Sequence, residues 1–277
     1  MLKSERLAVL PIDSYDLESE LSVVDSHEYD GKYDAFTFGS WSSHVLANGS
    51  GADSDTTFRP HEGGPALTEL GKQLPNIMSM VTEHFPLDRL QWVRIFSLRD
   101  GIIAPHVDFL EWAKPGLRVQ VPLRTSDEAL HSENDIVYGI RRGEVWKIHS
   151  TDPHSARSTS KAARLSLCLD FTESEGPLAI RGTVSATQPI RVVQRPEATE
   201  AELEELIGSA NLTPATMRSG FRRFAELHFE RRAHATEAFD WYIEAARRTG
   251  DEDIVAKAQA YRTYCIEKRG DGEVFDW

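Results

Sequence analysis

His106 and Asp108 stand two residues apart in Ala104-Pro105-His106-Val107-Asp108, and a second histidine follows in Asp152-Pro153-His154-Ser155. In an extended strand residues i and i+2 project from one face. This spacing therefore lets an imidazole and a carboxylate grip one ion while Val107 points away. With His154 they make a facial triad of two histidines and one carboxylate, a donor set suited to non-haem Fe(II). Three adjacent coordination positions stay open, enough for a bidentate co-substrate and O2. Ten residues past His154, in Ala163-Arg164-Leu165-Ser166-Leu167, lies an arginine whose fork can hold the far carboxylate of 2-oxoglutarate through a charge-assisted pair. The HxD pair alone is a weak signal in a chain with 10 histidines, and a lone histidine usually sits in solvent or at a strand end. The distal histidine and the arginine, each beside strand-like sequence, make the combination specific.

The elements that must position these residues are short strands. Leu90 to Leu98 alternates, Arg99-Asp100-Gly101 reads as a turn, and the HxD strand follows. Leu117, Val119 and Val121 alternate with Arg118, Gln120 and Pro122, so this strand is a candidate pocket wall with its polar residues facing inward. Ile136 to Ile140, a turn at Arg141 to Glu144, Val145 to Ile148 and Arg164 to Phe171 bring the total to about eight strands, the content of a jelly roll. Upstream, residues 5–12 read as a first strand, Ser14 as the N-cap of a short helix, and Ala35 to Trp41 as an aromatic strand. Residues 48–54 have loop composition and are a candidate lid, while Thr68 to Val81 fits a helix packed outside the barrel.

After about residue 195 the pattern turns helical. Four segments carry apolar residues at spacings of three and four: Glu200 to Ile207, Met217/Phe221/Phe224/His228, Phe239/Tyr242/Ile243/Ala246 and Ile254/Ala258/Tyr261/Cys265. Thr236 and Asp251 are expected N-caps, with Gly250 and Gly270 as stops. The aromatic stripe reads as core packing. The expected architecture is mainly β with α: a jelly-roll catalytic domain over 1–195, flanked by helices, and a C-terminal helical subdomain over 196–277.

Composition narrows the function classes. Lys plus Arg number 31 and Asp plus Glu 44, a formal charge of −13, and such a surface repels phosphate backbones and anionic headgroups. Nucleic-acid and membrane partners are therefore not expected. No apolar run approaches the ~20 residues that span a bilayer, and Asp13 and Asp16 interrupt any signal-peptide core, which leads us to expect a cytoplasmic protein. Cys168 and Cys265 are far apart and read as buried, unpaired thiols.

Several segments together resemble the bacterial cis-selective proline and pipecolic acid hydroxylases, relatives of the aspartyl/asparaginyl β-hydroxylases. They are Ile103-Ala104-Pro105-His106-Val107-Asp108-Phe109, Gly143-Glu144-Val145-Trp146, His154-Ser155-Ala156, Arg164 to Phe171, Phe38-Gly39-Ser40-Trp41, Val93-Arg94-Ile95 and Ala238-Phe239-Asp240-Trp241. The resemblance runs over nearly the whole chain. It implies a double-stranded β-helix, iron on His106, Asp108 and His154, and 2-oxoglutarate on Arg164. The implied reaction is Fe(II)- and O2-dependent hydroxylation of a free L-amino acid, first of all L-proline or L-pipecolic acid. Related halogenases carry a small residue in place of the carboxylate, so Asp108 favours hydroxylation.

Within that resemblance Arg94 aligns with a family arginine and is a candidate for the substrate carboxylate, the alternative being an outward salt bridge. Arg118 is a candidate for either carboxylate. Gln120 departs from the family's Arg-x-His, since an amide donates to a carboxylate but carries no charge. Trp41 is a pocket wall or core. His131, in a polar turn, is expected in solvent, and His149 is expected to have no role. Gln120 with Asp127, Glu128 and Glu133 would suit a longer polar substrate such as citrulline. The competing readings are a hydroxylase of a protein- or carrier-bound residue and, from another class, a non-catalytic jelly roll that binds a metal or small ligand. Arg164 separates the last of these, because simple metal binding needs no carboxylate anchor.

Overall fold

The computed structural model describes the chain apart from residues 28–33, 56–59, 111–115, 173–175 and 271–272. Strand β1 (Glu5–Val9), helix α1 (Glu18–Ser26), strands β2 (Thr37–Asn48) and β3 (Ala66–Leu67), and helices α2 (Glu69–Lys72) and α3 (Pro75–His84) precede a long strand, β4 (Leu90–His106). Then come β5 (Leu117–Arg124), β6 (Ala129–Glu133), β7 (Ile136–Gly139), β8 (Glu144–Ile148), β9 (His154–Ser158), β10 (Arg164–Phe171) and the short β11 (Arg191–Val193). Helices α4 (Glu200–Gly208), α5 (Met217–Glu230), α6 (Glu237–Arg248) and α7 (Glu252–Arg262) complete the chain, the last running into a π-helical turn at Thr263–Glu267.

The strands pair in the order β1-β8-β5-β10-β4-β9-β6-β7-β11, with β2 against the far edge of β4. Strand β4 belongs to two sheets at once: Leu90 to Leu98 pair with β10, and Gly101 to His106 pair with β9. The result is a double-stranded β-helix, one sheet of β8-β5-β10-β4 facing another of β4-β9-β6-β7. The turn expected at Arg99-Asp100-Gly101 is thus a bend inside one strand. Asp100 takes a positive φ of 39° there, and Gly39 lets β2 cross so closely that a Cβ on it would lie 2.3 Å from the Asp100 carbonyl oxygen.

Alternation along β10 divides the molecule. Leu165, Leu167, Leu169 and Phe171 enter a core that also holds Val119, Val121 and Leu123 of β5 and Ile77, Met80 and Val81 of α3. Arg164, Ser166, Cys168 and Asp170 face the other way, into the space between the sheets, and are buried all the same. A second core joins Phe38, Ile102 and Ala104 of the sheet to Phe221, Phe239, Tyr242 and Tyr261 of the helices, so the helical layer seals one outer face of the β-helix.

The local expectations fare unevenly. All four C-terminal helices form, and Asp251 caps α7 by accepting from the Asp253 and Ile254 amides. Thr236 occupies the N-cap position of α6 without a capping bond, because its hydroxyl is engaged by His234 Nδ1. Ser14 is not a helix cap: its hydroxyl donates to the Pro11 carbonyl in a 3-10 turn, and α1 begins four residues later at Glu18. The 68–81 helix is split in two, with Thr68 capping the first piece and Pro75 opening the second. Loop 48–54 is pinned by Asn48, whose amide donates to the Ala52 and Asp55 carbonyls and whose Oδ1 accepts from the Gly51 amide. Both cysteines are buried free thiols. Among the described residues no helix is long and apolar enough to cross a membrane.

Candidate active site

His106 is the last residue of β4, paired directly with His154, the first of β9. Ile102 and Ala104 face the helical layer, and the register shift between Ile103 and His106 is a bulge that turns His106 out of that row. Asp108 lies beyond the strand, so the simple i, i+2 argument is superseded: this carboxylate is placed by its own bonds. Its amide donates to the Ser150 carbonyl at 2.8 Å.

His106 Nε2 is 3.6 Å from Asp108 Oδ1, and His154 Nε2 is 3.4 Å from Asp108 Oδ2. The three donor atoms lie within 4.8 Å of one another. Each imidazole is fixed by its other nitrogen, with His106 Nδ1 donating to the Ala104 carbonyl at 2.8 Å and His154 Nδ1 to that of Asp152 at 3.0 Å. A carbonyl can only accept, so in the neutral imidazole each Nε2 is the nitrogen left with a lone pair for a metal, the arrangement usual for metal-bound histidines. Burial, and then the neighbouring His154, hold the His106 pKa below the ordinary imidazole range. Burial opposes ionisation of Asp108, yet Arg118 holds its carboxyl well below the usual carboxylate range. Neutral histidines and an ionised aspartate are the forms that bind a metal.

Arg118 bonds Asp108 Oδ2 through Nη1, and its Nε donates to Asp170 Oδ1 at 2.8 Å. Asp170, fully buried, also receives Arg94 Nη2 at 2.7 Å. Arg94 is therefore neither an outward salt bridge nor a free cation. It is buried, paired with Asp170 and laid over the rings of Trp92 and Phe96. Trp41 is half-buried on the same wall, its ring 5.7 Å from that of Phe96.

Arg164 is buried at the start of β10. Its Nη2 donates to Gln120 Oε1 at 3.0 Å and to His131 Nε2 at 2.5 Å, and no carboxylate among the described residues lies within ion-pair distance. Burial alone draws its pKa down to about 10. His131 corrects the expectation of a solvated turn: it is buried, stacked on Tyr138, and held neutral by burial and by Arg164. Glu133 is likewise not free for a long polar substrate. It is buried under the N-terminus, accepting from the Lys3 and Ser4 amides and the Ser4 hydroxyl. Asp127 is exposed and paired with Arg191, and His149 only meets Asp152 at 3.3 Å. Sequence reasoning gave no role to Asp170 or His131. The even spacing of Arg164, Ser166, Cys168 and Asp170 on one strand was the signal available for the first; none marked the second.

A β-helix carrying two histidines and a carboxylate, with a buried arginine apart from them, defines the class. Residues 4–174 match the family model of aspartyl/asparaginyl beta-hydroxylase, and residues 179–273 that of the L-proline 3-hydroxylase C-terminal region. The chain is 28% identical to the L-proline cis-4-hydroxylase of Rhizobium meliloti (strain 1021), over 98% of each chain. It is 30% identical to L-proline cis-3-hydroxylase 1 of a Streptomyces species, over 88% of each. Among solved structures a 2OG-Fe(II) oxygenase family protein from Burkholderia pseudomallei superposes loosely, at 16% identity and a TM-score of 0.34 over 59% of this chain and 83% of that one. The protein belongs to the aspartyl/asparaginyl β-hydroxylase family.

Proposed function

We propose that this protein is an Fe(II)/2-oxoglutarate-dependent hydroxylase of a free cyclic L-amino acid, L-proline or L-pipecolic acid, acting in the cytoplasm with residues 1–195 as catalytic domain and 196–277 as helical subdomain. The observation that carries it is the buried, uncompensated Arg164 in the same interior as the His106, Asp108 and His154 donors. A buried cation without an anion costs several kcal/mol unless a ligand supplies one, and the distal carboxylate of 2-oxoglutarate is such an anion. The names of the relatives support the substrate class.

The donor set fits a divalent metal, and His106, Asp108 and His154 would hold it. When bound, Fe(II) with 2-oxoglutarate and O2 supplies the oxidation that turns an unactivated C–H into C–OH and releases succinate and CO2. The chain's own residues do the rest. Arg164 pairs with the 2-oxoglutarate distal carboxylate while Gln120 and His131 hold its guanidinium plane. Arg118 fixes the rotamer of Asp108 and is our candidate partner for a substrate α-carboxylate. Arg94 acts through Asp170, keeping Arg118 in place, and Trp41 walls the same side. Neutral His131 accepts from Arg164 and adds no charge that would compete for the anion.

The test is incubation with Fe(II), 2-oxoglutarate and a panel of amino acids, following succinate and a mass gain of one oxygen. Hydroxylation of free proline or pipecolic acid, with methyl esters and amides as poor substrates, is the expected result. Faster turnover of a peptide-embedded or carrier-bound residue would overturn the free-amino-acid reading, and full activity in His154→Ala would overturn the metal assignment.

A further inference from the structure

The HxD segment leaves the sheet at His106, so the backbone of Val107 and Asp108 must find partners outside any ladder. Those of Val107 come from the far end of the chain. Its amide donates to the Cys265 carbonyl at 2.9 Å, and its carbonyl accepts from Arg269 Nη2 at 3.2 Å. Cys265 belongs to the π-helical turn Thr263–Glu267, and the last carbonyls of any helix lack intrahelical donors. One of them is spent on Val107. Arg269 satisfies another, with Nη1 donating to the Tyr264 carbonyl at 3.2 Å, and so ties the helix end to the HxD backbone through one guanidinium.

A ring stack makes a second link. Phe36 lies 5.3 Å from the His106 ring and 5.2 Å, nearly parallel, from that of Tyr264, while the Arg269 guanidinium sits 4.8 Å from the centre of Phe36. The tail thus touches the residue between the two HxD ligands through backbone, and His106 through Phe36. π-helical turns are rare and frequently lie at functional sites.

We infer that the C-terminal π-turn and Arg269 are positioning elements of the metal site, fixing the Val107 backbone so that His106 and Asp108 converge on one ion. This rests on the reading of His106, Asp108 and His154 as metal ligands. Arg269 is not one of the three donors and acts through Val107 and Phe36. Residues that hold ligands in this way typically cost 10- to 100-fold in metal affinity when replaced.

The test titrates the full chain with Co(II), whose d–d absorption reports coordination geometry, and records metal-free melting in parallel. Arg269→Met, which keeps the apolar stem on Phe36, should weaken Co(II) binding about tenfold and change the band shape; Arg269→Lys should restore part of the loss. Tyr242→Phe, which removes the Tyr242 to Met217 hydrogen bond elsewhere in the helical layer, controls for general loosening and should leave Co(II) affinity unchanged. Unchanged affinity in Arg269→Met, or an equal loss in Tyr242→Phe, would overturn the inference. His154→Ala separates the two claims: if it binds Co(II) as well as the unaltered protein, the ligand assignment itself fails, whereas its loss beside an unaffected Arg269→Met refutes the clamp alone.

Discussion

The interior of the β-helix holds two arginine sites of opposite kinds. Arg118, with Arg94, shares Asp170 and reaches Asp108, so every buried charge at that end has a partner within hydrogen-bond distance. Among the described residues Arg164 has only the neutral oxygen of Gln120 and the neutral nitrogen of His131. The first is a network of internal pairs that holds a ligand residue in one rotamer. The second has no carboxylate partner among the described residues, which is why we propose it as the site for the 2-oxoglutarate carboxylate. Both arginines would look alike in a list of buried cations; the carboxylates around them decide their use.

The largest effect that would break this contrast is at Asp170. Asp170→Asn removes the only carboxylate facing Arg94 among the described residues and one of two facing Arg118. Breaking a buried pair in this way costs on the order of 3–5 kcal/mol, so melting of the metal-free protein should fall by roughly 10 °C. Calorimetry measures it, and a loss under about 1 kcal/mol would mean that the network is not a structural unit.

Arg164→Met should behave in the opposite sense. Metal-free stability should not fall and should rise by about 1 kcal/mol or more, since a buried cation without an anion is exchanged for an apolar chain of similar reach. Steady-state kinetics should show the apparent KM for 2-oxoglutarate raised about a hundredfold, the equivalent of roughly 3 kcal/mol. A melting loss as large as that of Asp170→Asn would erase the distinction between the two sites. Gln120→Leu sharpens the point: it deletes one neutral acceptor of Arg164, worth about 1 kcal/mol, and should raise that KM roughly fivefold with kcat unchanged.

How far the sequence disclosed these sites depends on the kind of contact. The alternation of Arg118 and Gln120 against Val119 and Val121 placed the polar wall correctly, because strand period is a local property. The helices at 200–262 were legible for the same reason. His131 was not: its neighbours Ser132, Glu133 and Asn134 look like a solvated turn, and it is Lys3 and Ser4, 130 and 129 residues away, that account for buried Glu133. Ser14 failed as a cap because the chain first makes a 3-10 turn after Pro11. The link from Cys265 to Val107 uses backbone atoms that every residue has, so no side-chain pattern announces it.

A pH-dependent effect, absent at neutral pH, concerns the helical layer, where a buried histidine stands outside the site. His228 on α5 donates through Nδ1 to the Ala233 carbonyl at 3.0 Å, and burial, then the positive charge of Arg195, push its pKa down to about 3. In the unfolded chain the same imidazole titrates near 6.5. Below that pH the unfolded state binds a proton that the folded state refuses, so stability falls as pH drops from about 6.5 to about 3 and no further below it. The slope for one such group approaches 1.4 kcal/mol per pH unit. His131 and His44 are depressed too and contribute in the same direction, so the prediction concerns a difference between proteins. His228→Asn keeps a donor near the Ala233 carbonyl and removes the titrating ring. Denaturant melts at pH 7, 6, 5 and 4 should then show one proton fewer taken up on unfolding in the variant, with the stability gap between the two proteins closing steadily as pH falls. Parallel pH curves would mean that His228 is protonated in the folded helices, and that their core admits a buried charge.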